Sequence, residues 1–326
     1  MKTIRIAFYD FWDSFEPENS LFYKLLSKHF DVVLSETPDY VFFSVFGERH
    51  WSVPDRCVKI FYTGENLAPD FNACDYAMGF EWMDYEDRYR RVPNYLLYSQ
   101  DILQRMEHKH ELPAGFELLR DKPGFCSFVV SNSAGRQRNE AFKALNAYKR
   151  VDSGGRYLNN VGGPVPDKLA FEERHKFSLC FENGRHNGYT TEKLVQAFAA
   201  RTVPIYWGDP QVERVFNKAA FIDAGDYESL DMLVERIKQL DSDDAAYLEM
   251  LSAPALTPGA PSMEDEILGL EQWLTAIFER PLEEAYRRNR EMHGEKYIRL
   301  RSCLRTKYII ALPFRKLIKG LKRCRK

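Results

Sequence analysis

Residues 181–193 read Phe-Glu-Asn-Gly-Arg-His-Asn-Gly-Tyr-Thr-Thr-Glu-Lys, a strand end, a glycine-containing polar loop and a helix start. A helix start offers unbonded N–H groups and a partial positive charge, both suited to phosphate. Lys193, in the first turn, adds a full positive charge. Together they suit a pyrophosphate. The spacing is neither that of a P-loop nor Gly-x-Gly-x-x-Gly. An ordinary loop would use the same residues, with Thr190 as helix cap and Glu192 favourable near the N-terminus. A second polar loop, residues 131–139, carries Arg136 and Arg138 at the carboxyl end of an expected strand. Two guanidinium groups there could clamp phosphate oxygens, or the loop could simply be a solvated surface. Glu65 closes a third strand through Thr63-Gly64. A carboxylate at a cleft edge can take a proton from a hydroxyl, although a plain surface acid would look the same. His186 reads as exposed rather than catalytic. Asp241-Ser242-Asp243-Asp244 contains an Asp-x-Asp spacing but leads into a helix, so it reads as caps and not as a metal motif.

These side chains need elements to hold them. Residues 4–11 form a short β-rich apolar run, and Asn19 or Ser20 caps a helix running to about residue 29. Residues 31–34, 40–46 and 58–62 read as further strands, so strands and helices alternate as in a parallel α/β sheet. Residues 71–121 are aromatic, charged and irregular, and carry no clear assignment. A second series starts near Pro123: strands at 125–130, 176–181 and 203–207, and helices at 139–148, 190–200 and 227–240. Helices then dominate to about residue 296. Arg120-Asp121-Lys122-Pro123-Gly124 is the expected boundary between two α/β domains. Ligands of such sheets bind at the carboxyl ends of the strands, where all three loops fall.

The chain has 326 residues, with 44% apolar and 29% charged side chains, which is ordinary globular usage. It contains no apolar run long enough to cross a membrane, and the stretch from Met1 does not read as a secretory leader. The net charge of −2 conceals an asymmetry. Residues 296–326 carry 12 Lys or Arg and no acid, leaving 34 basic against 48 acidic residues in 1–295, a body charge of −14. An acidic body argues against nucleic-acid binding. The six cysteines are scattered without Cys-x-x-Cys spacing, and they read as reduced and cytosolic rather than as a zinc site.

Three stretches now resemble the α-1,3/4-fucosyltransferase family. Phe177-Ser178-Leu179-Cys180-Phe181-Glu182-Asn183, Tyr189-Thr190-Thr191-Glu192-Lys193 and Val203-Pro204-Ile205-Tyr206-Trp207-Gly208 follow its signature in order and spacing. Residues 60–66 with 75–80, and 127–132 with Arg138-Asn139, are similar to the bacterial branch. The resemblance covers roughly residues 1–250. It implies an α/β fold of two Rossmann-like domains facing a cleft (the GT-B type) with a helical C-terminal extension. Residues 1–122 would form the acceptor-binding domain, 123–295 the GDP-fucose-binding domain with a helical end, and 296–326 a basic amphipathic tail. It implies Glu65 as general base. Arg138 and Lys193 would bind the pyrophosphate, and Asn183, Tyr189 and Glu192 would share contacts to phosphate, ribose or fucose. The implied reaction is inverting transfer of L-fucose from GDP-β-L-fucose to the 3-OH (or 4-OH) of an N-acetylglucosamine unit in an N-acetyllactosamine-type glycan. GDP-fucose is then a substrate, with no cofactor and no metal required. Two alternatives stay open: a transferase of another GDP-sugar, and a non-catalytic nucleotide- or sugar-binding protein. Thr190 stands where valine is common in the family, and no heptad repeats precede the tail.

In the tail, Phe314, Leu317, Ile318 and Leu321 fall on one helical stripe, with Arg315, Lys316, Lys319, Lys322 and Arg323 around it. A basic amphipathic helix is a membrane-surface element. The expectation is a cytoplasmic protein held peripherally on the anionic inner face of the cytoplasmic membrane.

Overall fold

The computed structural model describes residues 1–54, 56–113, 115–288, 291–301, 303 and 306. The amphipathic stripe at 314–321 lies outside the described residues. Among those described, the strands form two wholly parallel sheets.

The first sheet contains β1 (Lys2–Tyr9), β2 (Phe30–Leu34), β3 (Tyr40–Phe43), β4 (Val58–Tyr62), β5 (Tyr76–Gly79) and β6 (Tyr89–Arg91), in the order β2-β1-β3-β4-β5-β6. β3, β4 and β5 are buried at every position, as expected for central parallel strands covered on both faces. The expected helix after Ser20 is shorter than its periodicity suggested. Ser20 accepts from the Tyr23 N–H, and α1 (Leu21–Leu26) ends before residue 29.

The second sheet contains β7 (Gly124–Phe128), β8 (Val151–Ser153), β9 (His175–Phe181), β10 (Val203–Trp207) and β11 (Ile222–Asp223), in the order β11-β10-β9-β7-β8. The helices α4 (Arg136–Tyr148), α5 (Lys168–Glu173), α6 (Glu192–Ala199), α7 (Leu230–Ser242) and α8 (Asp244–Ser252) surround it. The Asp-x-Asp stretch does cap: Asp243 accepts from the Ala246 N–H at the start of α8. Asp241 is instead paired with Lys149 and Lys176. Among the described residues no three His, Cys, Asp or Glu side chains are grouped to hold a metal. Cys57, Cys74, Cys126 and Cys180 are buried free thiols.

The packing departs from the boundary drawn at residue 122 in two places. In the stretch left unassigned, α2 (Gln100–Glu107) lies on the second unit; its Leu103 and Met106 join Tyr95, Leu96, Leu194 and Phe198 in one buried cluster. α3 (Phe116–Arg120) follows it, with Leu118 and Leu119 against the second sheet's core. The chain therefore crosses between units near Pro93, where a single 3-10 turn, Asn94–Leu97, follows the last strand. It crosses back after α8. The helix α9 (Met263–Glu279) starts with a capping box, Ser262 with Asp265, and buries Leu270, Leu274, Ile277 and Phe278 against the first sheet. The Phe278 ring lies 4.2 Å from that of Tyr40. After α10 (Leu282–Ala285), the Arg287 and Arg288 N–H groups donate to buried Asp75 at 2.9 and 2.8 Å. Met263 stays in the second unit's cluster, but residues 270–288 pack on the first unit, whereas the expected domain of 123–295 kept them with the second.

Candidate active site

The carboxyl ends of the two sheets face one another, and the loops leaving them touch. Gly188, at φ +81°, lies so close to the backbone after β5 that a Cβ would sit 2.2 Å from the Phe80 carbonyl oxygen. Any side chain there would push the units apart. The Phe80 ring meets Tyr189 at 5.0 Å and His186 at 5.5 Å, both edge-to-face. The loop of residues 182–191 is therefore clamped between the sheets. Asp209, just past β10, accepts from the Gly188 N–H at 2.7 Å and fixes its base.

On the second unit, β9 ends at Phe181 and delivers Glu182 into a fully buried position. This carboxylate accepts from the Thr191 N–H (2.7 Å), the Thr191 hydroxyl (2.8 Å) and the Lys193 ammonium (2.9 Å). Lys193 also donates to Thr191 Oγ1 at 2.8 Å and lies 3.6 Å from Glu192. Burial works against the Lys193 charge, but Glu182 and Glu192 outweigh it and push its pKa up. The Glu192 carboxyl is opposed by burial too, yet Lys193 and Lys168 draw it below its ordinary range. Lys193 is thus a fixed ammonium, held at the start of α6. The expected cap, Thr190, does not cap: its hydroxyl meets Tyr206 Oη at 3.1 Å, and Thr191 occupies the position before the helix.

Only one of the two loop arginines reaches this site. Arg136 is exposed and paired with Glu140 one turn along. Arg138, in the first turn of α4, is 1% exposed; it donates to Asn183 Oδ1 (2.6 Å) and the Asn132 carbonyl (2.5 Å). Its Nε has no partner among the described residues. Burial lowers its pKa, with nearby Glu182 opposing. Gly135 permits this inward turn, since a Cβ there would come within 2.9 Å of the guanidinium carbon. The starts of α4 and α6, Arg138 and Lys193 therefore converge on one patch, edged by exposed Asn183 and buried Tyr189.

On the first unit, Glu65 is exposed just past β4, and its N–H donates to Thr63 Oγ1 at 3.0 Å. It borders a recess of about 390 Å³ lined by Trp12, Phe46, Asn94, Leu97 and Tyr98. This recess reaches the cationic patch through two tyrosines. Burial pushes the Tyr189 phenol up to about 12, and Glu182, Glu65 and Glu192 add to the shift against Lys193. Burial likewise raises Tyr98, which is hydrogen-bonded to Glu192. All six residues singled out from the sequence, Glu65, Arg138, Asn183, Tyr189, Glu192 and Lys193, line or border this one cleft. Sequence reasoning gave no role to Glu182, Asp209 or Tyr98. The signal for Glu182 was an acid directly following an apolar strand. Nothing marked Trp12 or Phe46.

Paired parallel units meeting at their strand ends over a helix-start cationic patch define a GT-B-type glycosyltransferase fold. The model of the α-(1,3)-fucosyltransferase FucT N-terminal domain matches residues 6–98, and that of the glycosyltransferase family 10 (fucosyltransferase) C-terminal region matches residues 119–252. A crystal structure of an α1,3-fucosyltransferase with GDP-fucose superposes with a TM-score of 0.69 at 31% identity, covering 84% of this chain and 91% of that one. Among curated proteins, the Helicobacter pylori α-(1,3)-fucosyltransferase FucT is 33% identical over 286 residues, 76% of this chain and 59% of its own length. Bovine α-(1,3)-fucosyltransferase 4 is 36% identical over 147 residues, 43% of this chain and 36% of its own length. The chain belongs to the glycosyltransferase family 10 fucosyltransferases. It spans less than two thirds of the length of these curated relatives.

Proposed function

We propose that this chain is an inverting glycosyltransferase that moves L-fucose from GDP-β-L-fucose to the 3-hydroxyl, or the 4-hydroxyl, of an N-acetylglucosamine unit in an N-acetyllactosamine-type glycan. The observation that carries the reading is the pairing of two opposite chemistries across one cleft. A lone exposed carboxylate, Glu65, borders an aromatic recess on one side, and a fixed cationic patch stands on the other. A 31%-identical relative solved with GDP-fucose supports that donor.

The chemistry follows from the charges. The Glu65 carboxylate takes the proton of the acceptor hydroxyl as its oxygen bonds to fucose C1. The bond from C1 to the β-phosphate oxygen breaks on the opposite face, so the β-linked donor gives an α-linked product. Negative charge then grows on the departing GDP. Arg138, Lys193 and the N–H groups opening α4 and α6 can stabilise it with no reorganisation, because Asn183 and Glu182 already hold them. These residues supply the charge compensation that a cation would otherwise bring, so we propose that no metal or cofactor is required.

The test is GDP release from GDP-fucose, with and without N-acetyllactosamine, in the presence of chelator. Acceptor-dependent release that survives chelation, with product NMR showing an α-fucoside, is the expected result. Release that is independent of acceptor, or lost on chelation, overturns the corresponding step. We further propose that the basic tail attaches the chain to the anionic inner face of the cytoplasmic membrane; the stripe at 314–321 supports this. The full chain should pellet with anionic vesicles, and a chain truncated after Gly294 should not.

A further inference from the structure

The two exposed rings of the Glu65 recess sit on different loops, and one acid joins those loops. Trp12 follows β1 and Phe46 follows β3, with ring centroids 6.4 Å apart. Asp10, two residues before Trp12, lies at φ +62°, a left-handed conformation that aspartate tolerates better than most side chains. Its carbonyl accepts from the Phe46 N–H at 2.9 Å. Its side chain, 4% exposed, accepts from the Arg49 N–H at 2.8 Å, the His50 N–H at 2.9 Å and His50 Nδ1 at 2.5 Å. Gly47 permits the close approach, since a Cβ there would come within 2.4 Å of Asp10 Oδ1. The loop of residues 44–50 is thus wrapped around one carboxylate.

The pair is held in one state. Burial works against the Asp10 charge, but the His50 ring and the two N–H groups outweigh it and lower its pKa. An ionised carboxylate only accepts, so His50 Nδ1 carries the proton. The imidazole stacks on Phe43 at 4.4 Å and meets Trp51 at 4.7 Å. A buried polar network of this kind specifies one loop arrangement where apolar contacts would allow several. Neither Asp10 nor His50 lines the Glu65 recess; His50 and Gly47 border a separate one of about 250 Å³. Any effect on the acceptor must therefore pass through the segments that carry Trp12 and Phe46.

We infer that Asp10 and His50 are positioning residues for the acceptor, which set Trp12 against Phe46 and so shape the apolar surface on which the sugar beside Glu65 rests. The inference rests on the transferase reading above and adds two residues to its acceptor side.

The experiment measures transfer to N-acetyllactosamine by the full chain and three variants. His50→Ala removes the ring that holds Asp10. His50→Asn puts an amide N–H where Nδ1 stood. Gly47→Ala, on the exposed part of the loop, pushes on the Asp10 carboxylate without opening a cavity. His50→Ala should raise the acceptor KM by about three- to tenfold, the worth of a misplaced aromatic contact. Gly47→Ala should raise it in the same direction, and His50→Asn should recover most of the loss. The kcat at saturating acceptor and the GDP affinity should hold in all three, which also reports that they fold. In a chain already carrying Trp12→Ala and Phe46→Ala, adding His50→Ala should raise KM no further, because the rings it acts through are gone. An unchanged KM in His50→Ala, no recovery in His50→Asn, or a full further rise in the ring-less chain overturns the inference. So does a fall in GDP affinity that tracks the KM change, which would make the pair a support of the fold as a whole. Absence of transfer by the wild type instead removes the transferase reading. Calorimetry of N-acetyllactosamine with GDP-loaded protein then decides the positioning role: binding weakened in His50→Ala and regained in His50→Asn supports it, and equal binding in all, or none by the wild type, overturns it.

Discussion

The two sides of the cleft are built in opposite ways. On the donor side the charged groups of the patch are buried or half-buried and held by named partners: Glu182 by Thr191 and Lys193, Arg138 by Asn183 and Asn132. On the acceptor side Glu65 is exposed; its backbone N–H donates to Thr63 Oγ1 and its carbonyl accepts from the Leu67 N–H. Trp12 and Phe46 beside it are 41% and 52% exposed. A leaving group of constant chemistry can be met by a preformed electrostatic patch, because fixed dipoles need no rearrangement as charge develops. Under the proposed function a glycan acceptor varies in shape, and a wet aromatic surface with one exposed carboxylate can take it in more than one pose. The comparison predicts that donor-side substitutions will damage GDP binding and stability together, whereas acceptor-side substitutions will damage rate or acceptor KM and leave GDP affinity and stability alone.

The sharpest separation should come from Glu65→Ala. Removing a general base costs about 10²- to 10⁴-fold in rate. As Glu65 supports no buried network, the melting temperature and the GDP dissociation constant should stay at wild-type values. Full turnover in this variant would remove Glu65 from the mechanism, and a fall in melting temperature would break the contrast. Lys193→Ala is its donor-side counterpart. Loss of a charge-assisted phosphate contact should weaken GDP by roughly 10- to 100-fold. It should also destabilise the fold by about 3–5 kcal/mol, because Glu182 is left as a buried carboxylate without its cation. Calorimetric titration with GDP and a thermal melt measure the two effects on one sample. Unchanged GDP affinity would count against the phosphate role whatever happens to stability.

A subtler donor-side test is Gly208→Ala. The new Cβ would sit 2.5 Å from Glu182 Cγ and 2.6 Å from Tyr206 Oη. Both neighbours are fully buried, so neither can swing away cheaply. A destabilisation of about 1–3 kcal/mol is expected from overpacking. A several-fold loss of GDP affinity should accompany it, since Glu182 must shift and Lys193 with it. A variant that melts lower but binds GDP normally would mean that Glu182 supports the fold without positioning Lys193.

How much of this was legible beforehand follows the same division. The parallel strands, the strand–loop–helix at 181–193 and the helix beginning near Arg138 could be read because each is a local pattern: an apolar run, a glycine loop, a helical period. What could not be read depends on contacts distant in sequence. Nothing local in residues 263–279 says that α9 returns to the first sheet, because its apolar face would suit either core. The stretch 71–121 stayed unassigned for a related reason. Its strands are three or four residues long, and its aromatic residues serve both an interior and an interface between units. Glu182 was quoted as part of a motif but given no role, since an acid at a strand end reads as exposed until the ammonium eleven residues later is seen folding back on it. Trp12 and Phe46 lie on separate loops and form one surface only when β1 and β3 pair side by side.

That shared surface offers the mildest test. The Trp12 ring packs edge-on against Phe11, Phe15 and Phe46, at 5.8, 5.0 and 6.4 Å between centroids, and remains 41% exposed. An aromatic ring held this way presents apolar area to the C–H face of a sugar at little entropic cost. Trp12→Ala should raise the KM for acceptor by about three- to tenfold, the worth of one partly exposed aromatic contact. Its kcat at saturating acceptor and its affinity for GDP should hold, because the indole packs on Phe11, Phe15 and Phe46 and not in the network that holds Lys193 and Arg138. Trp12→Phe should recover most of the loss, since it restores a ring though a smaller one. If the alanine variant instead lost GDP affinity, the two sides of the cleft would be coupled through the loop that Gly188 and Phe80 clamp, and the independence drawn between them would fail at its most exposed residue.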